Sequence, residues 1–296
     1  MKIFPATDTV RNAMSVDVED WFQVQAFAST IRRDDWDSLP RRVEANTDRV
    51  LEAFSAAGVR ATFFTLGWVA EKHPALIRRI VEAGHELASH GHGHERVDLI
   101  GEAAFRADIR RARQVLEDTG GVRVIGYRAP TFSIGPHTPW AHAVLAEEGH
   151  LYSSSVFPVR HDLYGAPDAP RGPHRPRPDG VVELPLTTVR AGSVHRGRNL
   201  PCAGGGWFRL VPYPVFRTGL RRVNGAEKRS GIFYFHPWEV DPGQPRVAAG
   251  RLSRFRHYTG LGRMAGRLDR LLRDFAWGRM DEIFAEAIGR TGKEAA

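Results

Sequence analysis

Apolar positions in this 296-residue chain switch repeatedly between a period of two and a period near 3.6. In "NAMSVDV" (12–18), Met14, Val16 and Val18 alternate with Ser15 and Asp17, which predicts a strand with acids at its end. In "RRVEANTDRVLEAFSAAG", Val43, Val50, Leu51 and Phe54 fall at helical spacing, and Gly58 stops the helix. "RATFFTL" predicts a short buried strand. "HPALIRRIVEAG" predicts a helix with proline in its first turn and Gly84 as its stop. "HELASH" is the next strand, and "EAAFRADIRRARQVLEDTGG" the next helix, with Phe105, Ile109 and Leu116 on one face. "VIGYRAP" is a further strand-to-loop transition, and "PWAHAVLAEEG" a further helix.

Strands alternating with helices imply parallel pairing, in a barrel or a doubly wound sheet. The polar residues Asp17, Glu19, His90 and Arg128 each fall just after a predicted strand. In parallel α/β folds that carboxyl edge is where sites assemble. From about residue 157 the texture changes. "APDAPRGPHRPRPDG" carries five prolines and no apolar period, which makes it loop, while "GVVELPLTTV" and "GIFYFHPWEV" predict further strands. Without a repeat or a flexible linker, the second half is expected to complete the same domain. The tail "LGRMAGRLDRLLRDF" spaces Leu261, Met264, Leu268, Leu271, Leu272 and Phe275 helically against arginines, an amphipathic helix expected to pack on its own domain rather than on a membrane.

Composition narrows the class. A hydrophobic content of 42% supports an ample core, and no apolar run approaches the roughly 20 residues of a membrane helix. The single cysteine, Cys202, rules out an internal disulfide framework. With no apolar run in the first residues, this reads as a cytoplasmic protein. The net charge of +8 raises nucleic acid as a partner. Only Lys2, Lys72, Lys228 and Lys293 among the 42 basic residues are lysine, however, and the 38 arginines are scattered without a nucleic-acid motif. No nucleic-acid partner is expected, and no motif speaks to oligomeric state.

The candidate chemistry begins at "HELASHGHGHERV" (85–97). His90 and His94 are four apart, so one helical turn would bring both imidazoles to one side. The intervening Gly91 and Gly93 favour an irregular turn over a long strand, which selects this pair over His90–His92–His94. Asp17, Glu19 and Asp20 supply carboxylates. Two histidines and one carboxylate leave a coordination position for water, the pattern of a catalytic rather than a structural metal site. Arg128 in "GYRAP" is placed to pair with a carboxylate. His236 in "FYFHPWEV" is placed to act as a general acid, with Trp238 beside it as a platform for a sugar.

The order of these motifs resembles that of the NodB-type polysaccharide deacetylases, carbohydrate esterase family four. An acidic strand end is followed by "ATFF", "GHE…SHGHGH", "YRAP" and "FHPW". The segments "VFPVRHDLYG", "GGGWFRL", "FHPWEVDPGQPR" and "SRFRHYTGL" resemble a subgroup associated with exosortase and exopolysaccharide loci. The resemblance implies an α/β fold, a distorted (β/α)7-type barrel of about seven strands, with a catalytic domain over 1–250 and a C-terminal helical extension over 251–296 packed on it. It implies one divalent metal, zinc first with cobalt or nickel as alternatives, on a carboxylate with His90 and His94. It places the catalytic base on Asp17, the arginine that holds it on Arg128 and the general acid on His236. Removal of N-acetyl groups from an amino sugar in a polysaccharide or its precursor follows. The rivals are hydrolysis of a small acetylated metabolite and a non-catalytic glycan-binding role.

Two departures from the family pattern stand out. The usual adjacent aspartates are interrupted by Val18, so the metal carboxylate is Glu19 or Asp20, with strand alternation favouring Glu19. Ser153 stands where the family often has an aspartate.

Overall fold

The computed structural model describes residues 10–192 and 197–290; the outer ends of the two expected segments, 1–9 and 291–296, lie outside them. Strand β1 (Asn12–Val18) pairs in parallel with β2 (Thr62–Thr65), which continues through β3 (Glu86–Ser89), β4 (Gly126–Tyr127), β5 (Tyr152–Ser153) and β6 (Val182–Glu183). Two late segments return to β1, also in parallel: β9 (Ile232–Phe235) and β10 (Trp277–Gly278). The result is a parallel sheet curled into a half-barrel with helices around it. Between β6 and β9 lie β7 (Thr188–Ala191) and β8 (Arg198–Pro201), a separate antiparallel pair.

Both faces of the sheet are covered, and residue alternation decides which side chain goes where. Met14, Val16 and Val18 join Phe63, Phe233 and Phe235 on the helix-covered outer face. The opposite face gathers Ala13, Phe64, Tyr152 and Tyr234. Ser15 and Asp17 share the inner parity, which turns their polar groups into the half-barrel rather than under the helices. Helices α1 (Val43–Ala57), α3 (Pro74–Glu82) and α4 (Val97–Gly120) flank the strands, with the six-residue α2 (Gly67–Lys72) before α3. Gly58 closes α1 in the left-handed conformation that only glycine adopts without cost.

Several predicted boundaries shift for identifiable reasons. The helix expected from residue 102 begins at Val97, because Ser133 Oγ accepts the Val97 N–H at 3.0 Å; Gly101, at φ 76°, interrupts it. "GVVELPLTTV" is not one strand. Pro185 has no N–H for a ladder, and the segment breaks into β6 and β7. Helix α7 (Tyr213–Gly225), which the sequence reading passed over, buries Tyr213, Phe216, Leu220 and Val223 at helical spacing. The amphipathic tail forms α9 (Leu261–Asp274), and its Met264, Leu268, Leu271 and Leu272 enter the main core. At roughly 1.5–3 kcal/mol for each large apolar side chain buried, this face is held firmly to the domain. No helix among the described residues is long and apolar enough to cross a membrane.

Candidate active site and metal centre

The sheet register builds the site. Val18, Thr65, Ser89, Tyr127, Ser153 and Glu183 are paired neighbour to neighbour across six strands, forming one row at the carboxyl edge. The next residue along the chain leaves that row, which is where Glu19, His90, Arg128 and Ser154 stand. On the other side of β1, Val16 pairs with Phe235, and His236 follows it.

Glu19, His90 and His94 are buried and offer one ligand atom each within 4.8 Å of one another. The backbone between the histidines is not a helical turn, contrary to the simplest reading of their spacing. It is an irregular loop in which Gly91 (φ 75°) and His94 (φ 54°) both adopt left-handed geometry. Asp108 of α4 holds that loop by accepting the His92 and Gly93 N–H groups, at 3.0 and 3.2 Å. His90 donates from Nδ1 to the Arg128 carbonyl at 2.8 Å, which leaves Nε2 as the lone-pair nitrogen. Glu19 Oε2 lies 2.8 Å from His94 Nε2 but is a buried oxygen without a properly directed hydrogen bond. A buried acceptor with no donor beside two imidazoles fits a divalent cation. Burial alone would raise the Glu19 carboxyl, but His94 and His236 outweigh it and hold the group at about 2. Burial pushes His90 down to about 4, so its imidazole is neutral, as a ligand must be.

Asp20 is engaged elsewhere. Its Oδ2 accepts the Arg42 and Val43 N–H groups at 2.7 and 3.0 Å, closing the free amino end of α1, while Oδ1 accepts the Trp21 N–H. Of the two carboxylates the sequence left open, Glu19 is the one beside the histidines.

Arg128 is 0% exposed and spends its donors on the site. Nη1 donates to Asp17 Oδ1 at 2.6 Å and Ser15 Oγ at 2.8 Å, and Nη2 and Nε donate to Ser154 Oγ and the Ser154 carbonyl. The guanidinium lies 4.1 Å from the centre of the Phe64 ring. Planarity and multiple donors are what fix Asp17 in orientation.

His236 faces the cluster with Nε2, 3.5 Å from Glu19 Oε1, and is held from behind through Nδ1, 3.1 Å from Glu239 Oε2. The same oxygen accepts the His236 N–H at 3.0 Å. Burial would lower His236, but Glu19 and Glu239 override it and raise the imidazole to about 9. Glu239, itself 0% exposed, is held at about 2 against burial, chiefly by Arg209, whose Nε donates to Oε1 at 2.7 Å. Arg209 also donates to the carbonyls of Arg256, His257 and Thr259, tying this support to the segment before α9. A Cβ on Gly205 would come within 1.9 Å of Glu239, so this glycine of "GGGWFRL" makes room for the carboxylate. Glu239 and Arg209 were missed in the sequence. The spacing His236-x-x-Glu239 was visible, but pairing across 30 residues to Arg209 was not.

Trp238 is not a sugar platform. His236 stacks on it with ring centres 5.1 Å apart and His257 with 4.1 Å, and the indole is buried. Its Nε1–H donates to Glu19 Oε1 at 3.2 Å, so the tryptophan orients the candidate metal carboxylate. His85 lies at the opposite end of β3, accepting the Ala61 N–H, and His92 turns to Glu71. Ser153 bonds Ser155 Oγ at 2.8 Å. The buried carboxylate in that region is Glu183, which accepts the Ser155 and Val156 N–H groups and pairs with His142.

Residues 34–146 match the family model described as polysaccharide deacetylase, and residues 154–285 match one described as a domain of unknown function (DUF3473). A chitooligosaccharide deacetylase of Sinorhizobium fredii is 34% identical over 149 residues, 50% of this chain and 63% of that protein. A peptidoglycan-N-acetylglucosamine deacetylase of Bacillus cereus is 33% identical over 91 residues, 31% of each chain. The chain thus spans less than two thirds of either relative. Among solved structures, one from Mycobacterium smegmatis assigned to the polysaccharide deacetylases superposes with a TM-score of 0.58 at 22% identity, covering 96% of this chain and 93% of that one. The PuuE allantoinase superposes at 0.59 and 17% identity, covering 96% and 91%. Both show the fold alone. The half-barrel is the NodB-type deacetylase fold, and family model and curated relatives together support the polysaccharide deacetylase family, with the model's match lying in residues 34–146.

Proposed function

We propose that the chain is a metal-dependent hydrolase that removes the N-acetyl group from an amino sugar of a glycan or its precursor. The observation that carries this reading is the convergence of three sets of groups at one sheet edge: the Glu19–His90–His94 cluster, the Arg128-held Asp17 and the Glu239-held His236. A divalent ion on the cluster, with zinc first and cobalt or nickel as alternatives, would supply Lewis-acid polarisation of the acetyl carbonyl and an acidified water. Asp17, fixed by Arg128, accepts a proton from the water that attacks the carbonyl carbon. His236, held through Nδ1 by Glu239, presents Nε2 towards the cluster, from which it protonates the departing amine nitrogen as the C–N bond breaks. The products are acetate and a free amine on the sugar. The names of the Sinorhizobium and Bacillus relatives support an N-acetylated glycan as substrate. The late segments from "VFPVRHDLYG" to "SRFRHYTGL" further support a place among the deacetylases of exosortase and exopolysaccharide loci.

The test is acetate release from N-acetylglucosamine oligomers of increasing length, with chelator-stripped protein and after adding zinc, cobalt or nickel. Acetate that appears only with metal and rises with length is expected. His90→Ala should lose metal by elemental analysis, and His236→Ala should retain metal without turnover. Wild-type turnover in either variant, or acetate from the stripped protein, would overturn the assignment.

A further inference from the structure

Most arginines on this surface are neutralised by nearby carboxylates, as in Arg79 with Glu44 and Asp48, or Arg106 with Glu147 and Glu148. One cleft breaks that rule. It has a volume of about 890 Å³ and is bounded by Arg160, Arg171, Arg190 and Arg198, with Trp207 as part of its wall. Arg171 is compensated by Glu227 at 3.0 Å. Arg160, Arg190 and Arg198 have no carboxylate partner among the described residues, and the Nε of Arg190 is buried without a hydrogen-bond acceptor. The one carboxylate in the wall, Asp168, is exposed and leaves the cleft positive. Arg160 and Arg198 are exposed and hydrated, so their charges make the cleft positive without cost; the buried Nε of Arg190 is the donor that an anionic acceptor would complete.

The cleft is joined to the candidate active site by a row of rings. The Arg128 guanidinium lies 6.0 Å from the Phe132 ring, Phe132 meets Tyr164 at 5.6 Å, Tyr164 stacks on His161 at 3.9 Å, and His161 meets Trp207 at 6.3 Å. These rings are packed together beneath the surface, and the short steps between them place the cleft within a few sugar lengths of Arg128.

We propose that the cleft is a subsite for an anionic group, carboxylate or phosphate, carried by the glycan some sugars away from the acetamide that is cleaved. The proposal rests on the deacetylase reading for the identity of the glycan, but the anion site itself can be measured without turnover. The two sources of charge are a uronic-acid carboxylate within the glycan and a phosphate on its carrier. Arginine suits either through paired N–H donors.

Calorimetric titration of the full chain with trigalacturonate, inorganic pyrophosphate and neutral chitotriose tests this at low and at physiological salt. At least one acidic probe should bind, weaken with salt and lose about tenfold or more in affinity in the exposed double variant Arg160→Ala/Arg198→Ala, with thermal unfolding checking that it folds. Trigalacturonate alone would identify the carboxylate source, and pyrophosphate alone the phosphate source. A second readout is the kcat/KM ratio for acidic over neutral N-acetylated oligomers, which should fall towards one in the double variant. No binding of either acidic probe, or affinity unchanged by the double substitution and by Arg190→Gln, overturns the proposal. Arginine-dependent binding without acetate release from any oligomer would leave the anion site standing and remove the deacetylase reading instead.

Discussion

Glu239→Gln is the substitution that most directly tests how the acid side of the site is built. It preserves shape and removes one charge. In the wild type both carboxylate oxygens accept: Oε1 from Arg209 Nε at 2.7 Å, and Oε2 from the His236 backbone N–H at 3.0 Å and from His236 Nδ1 at 3.1 Å. Glutamine has one acceptor oxygen, so its NH₂ must face either Arg209 or His236 as donor against donor. In either orientation the buried Arg209 guanidinium loses its counter-charge, and in the first it also loses its acceptor. In the second, the His236 N–H is opposed and the imidazole is driven to the tautomer with its proton on Nε2. Breaking a buried ion pair from one side costs about 3–5 kcal/mol. At ~2.1 cal/mol/K of unfolding entropy per residue, a 296-residue chain would lose roughly 5–8 °C in Tm. Turnover should fall by about 10²-fold or more, as expected when a general acid loses the group that sets its tautomer. Circular dichroism melts and acetate release at saturating substrate measure the two effects, and elemental analysis should show metal still bound. A Tm within about 1 °C of wild type together with turnover within about twofold would refute the buried Arg209–Glu239–His236 chain as the support of this site.

Two further predictions probe the opposite wall and the amino end of the strands. Arg128→Lys keeps the charge but cannot satisfy Asp17, Ser15 and both Ser154 oxygens at once, so we expect a loss of about 3 kcal/mol or more in urea unfolding and about 10²-fold in turnover; stability and turnover both near wild type would show that charge alone suffices. Glu86 is pushed up to about 8, first by burial and then by Asp281. An acid raised in the folded state binds more protons folded than unfolded, so its effect on stability turns progressively unfavourable as pH climbs from about 4.5 towards 8. Glu86→Gln can donate to Tyr152 Oη and accept from Thr62 and the Asp281 N–H in the same place. Its Tm relative to wild type should therefore rise between pH 5 and pH 8, and a difference that is flat or falling across that window would contradict the assignment.

What the sequence reveals, and what it conceals, follows from the range of each interaction. Strand β1, helix α1 and helix α9 were legible because their periodicity is local and their apolar faces are long. The short strands β8 and β10 were not, since two to four residues carry too little pattern to distinguish them from loop. The positions that gather at the carboxyl edge were readable because each directly follows a strand. Their partners were harder. Asp20 looks as good a ligand as Glu19 until α1 is seen to end on it, and the 22 residues to Arg42 hold no signal of that contact. Trp238 looked like a sugar platform because exposure cannot be read from an aromatic beside a histidine. Only the arrival of His257 from α8 (Arg251–Tyr258), stacked on the indole beside His236, shows that the ring is buried.

The distribution of the site along the chain bears on how its two matched stretches relate. Asp17 and Glu19 precede the polysaccharide deacetylase match, His90, His94 and Arg128 lie within it, and Ser154, Arg209, His236 and Glu239 lie within the DUF3473 match. Arg128 reaches across this division to both Ser154 oxygens, and His236 reaches back to Glu19. Strands β9 and β10 flank β1, so the second stretch also supplies neighbours to the strand that carries the acids. Residues 154–285 supply the acid-side imidazole, its carboxylate support and two of the four oxygen acceptors around Arg128. The DUF3473 stretch therefore completes the residue cluster at the carboxyl edge rather than standing apart from it, and on the proposed function its arginine-lined cleft is where the chain would differ in the glycan it takes.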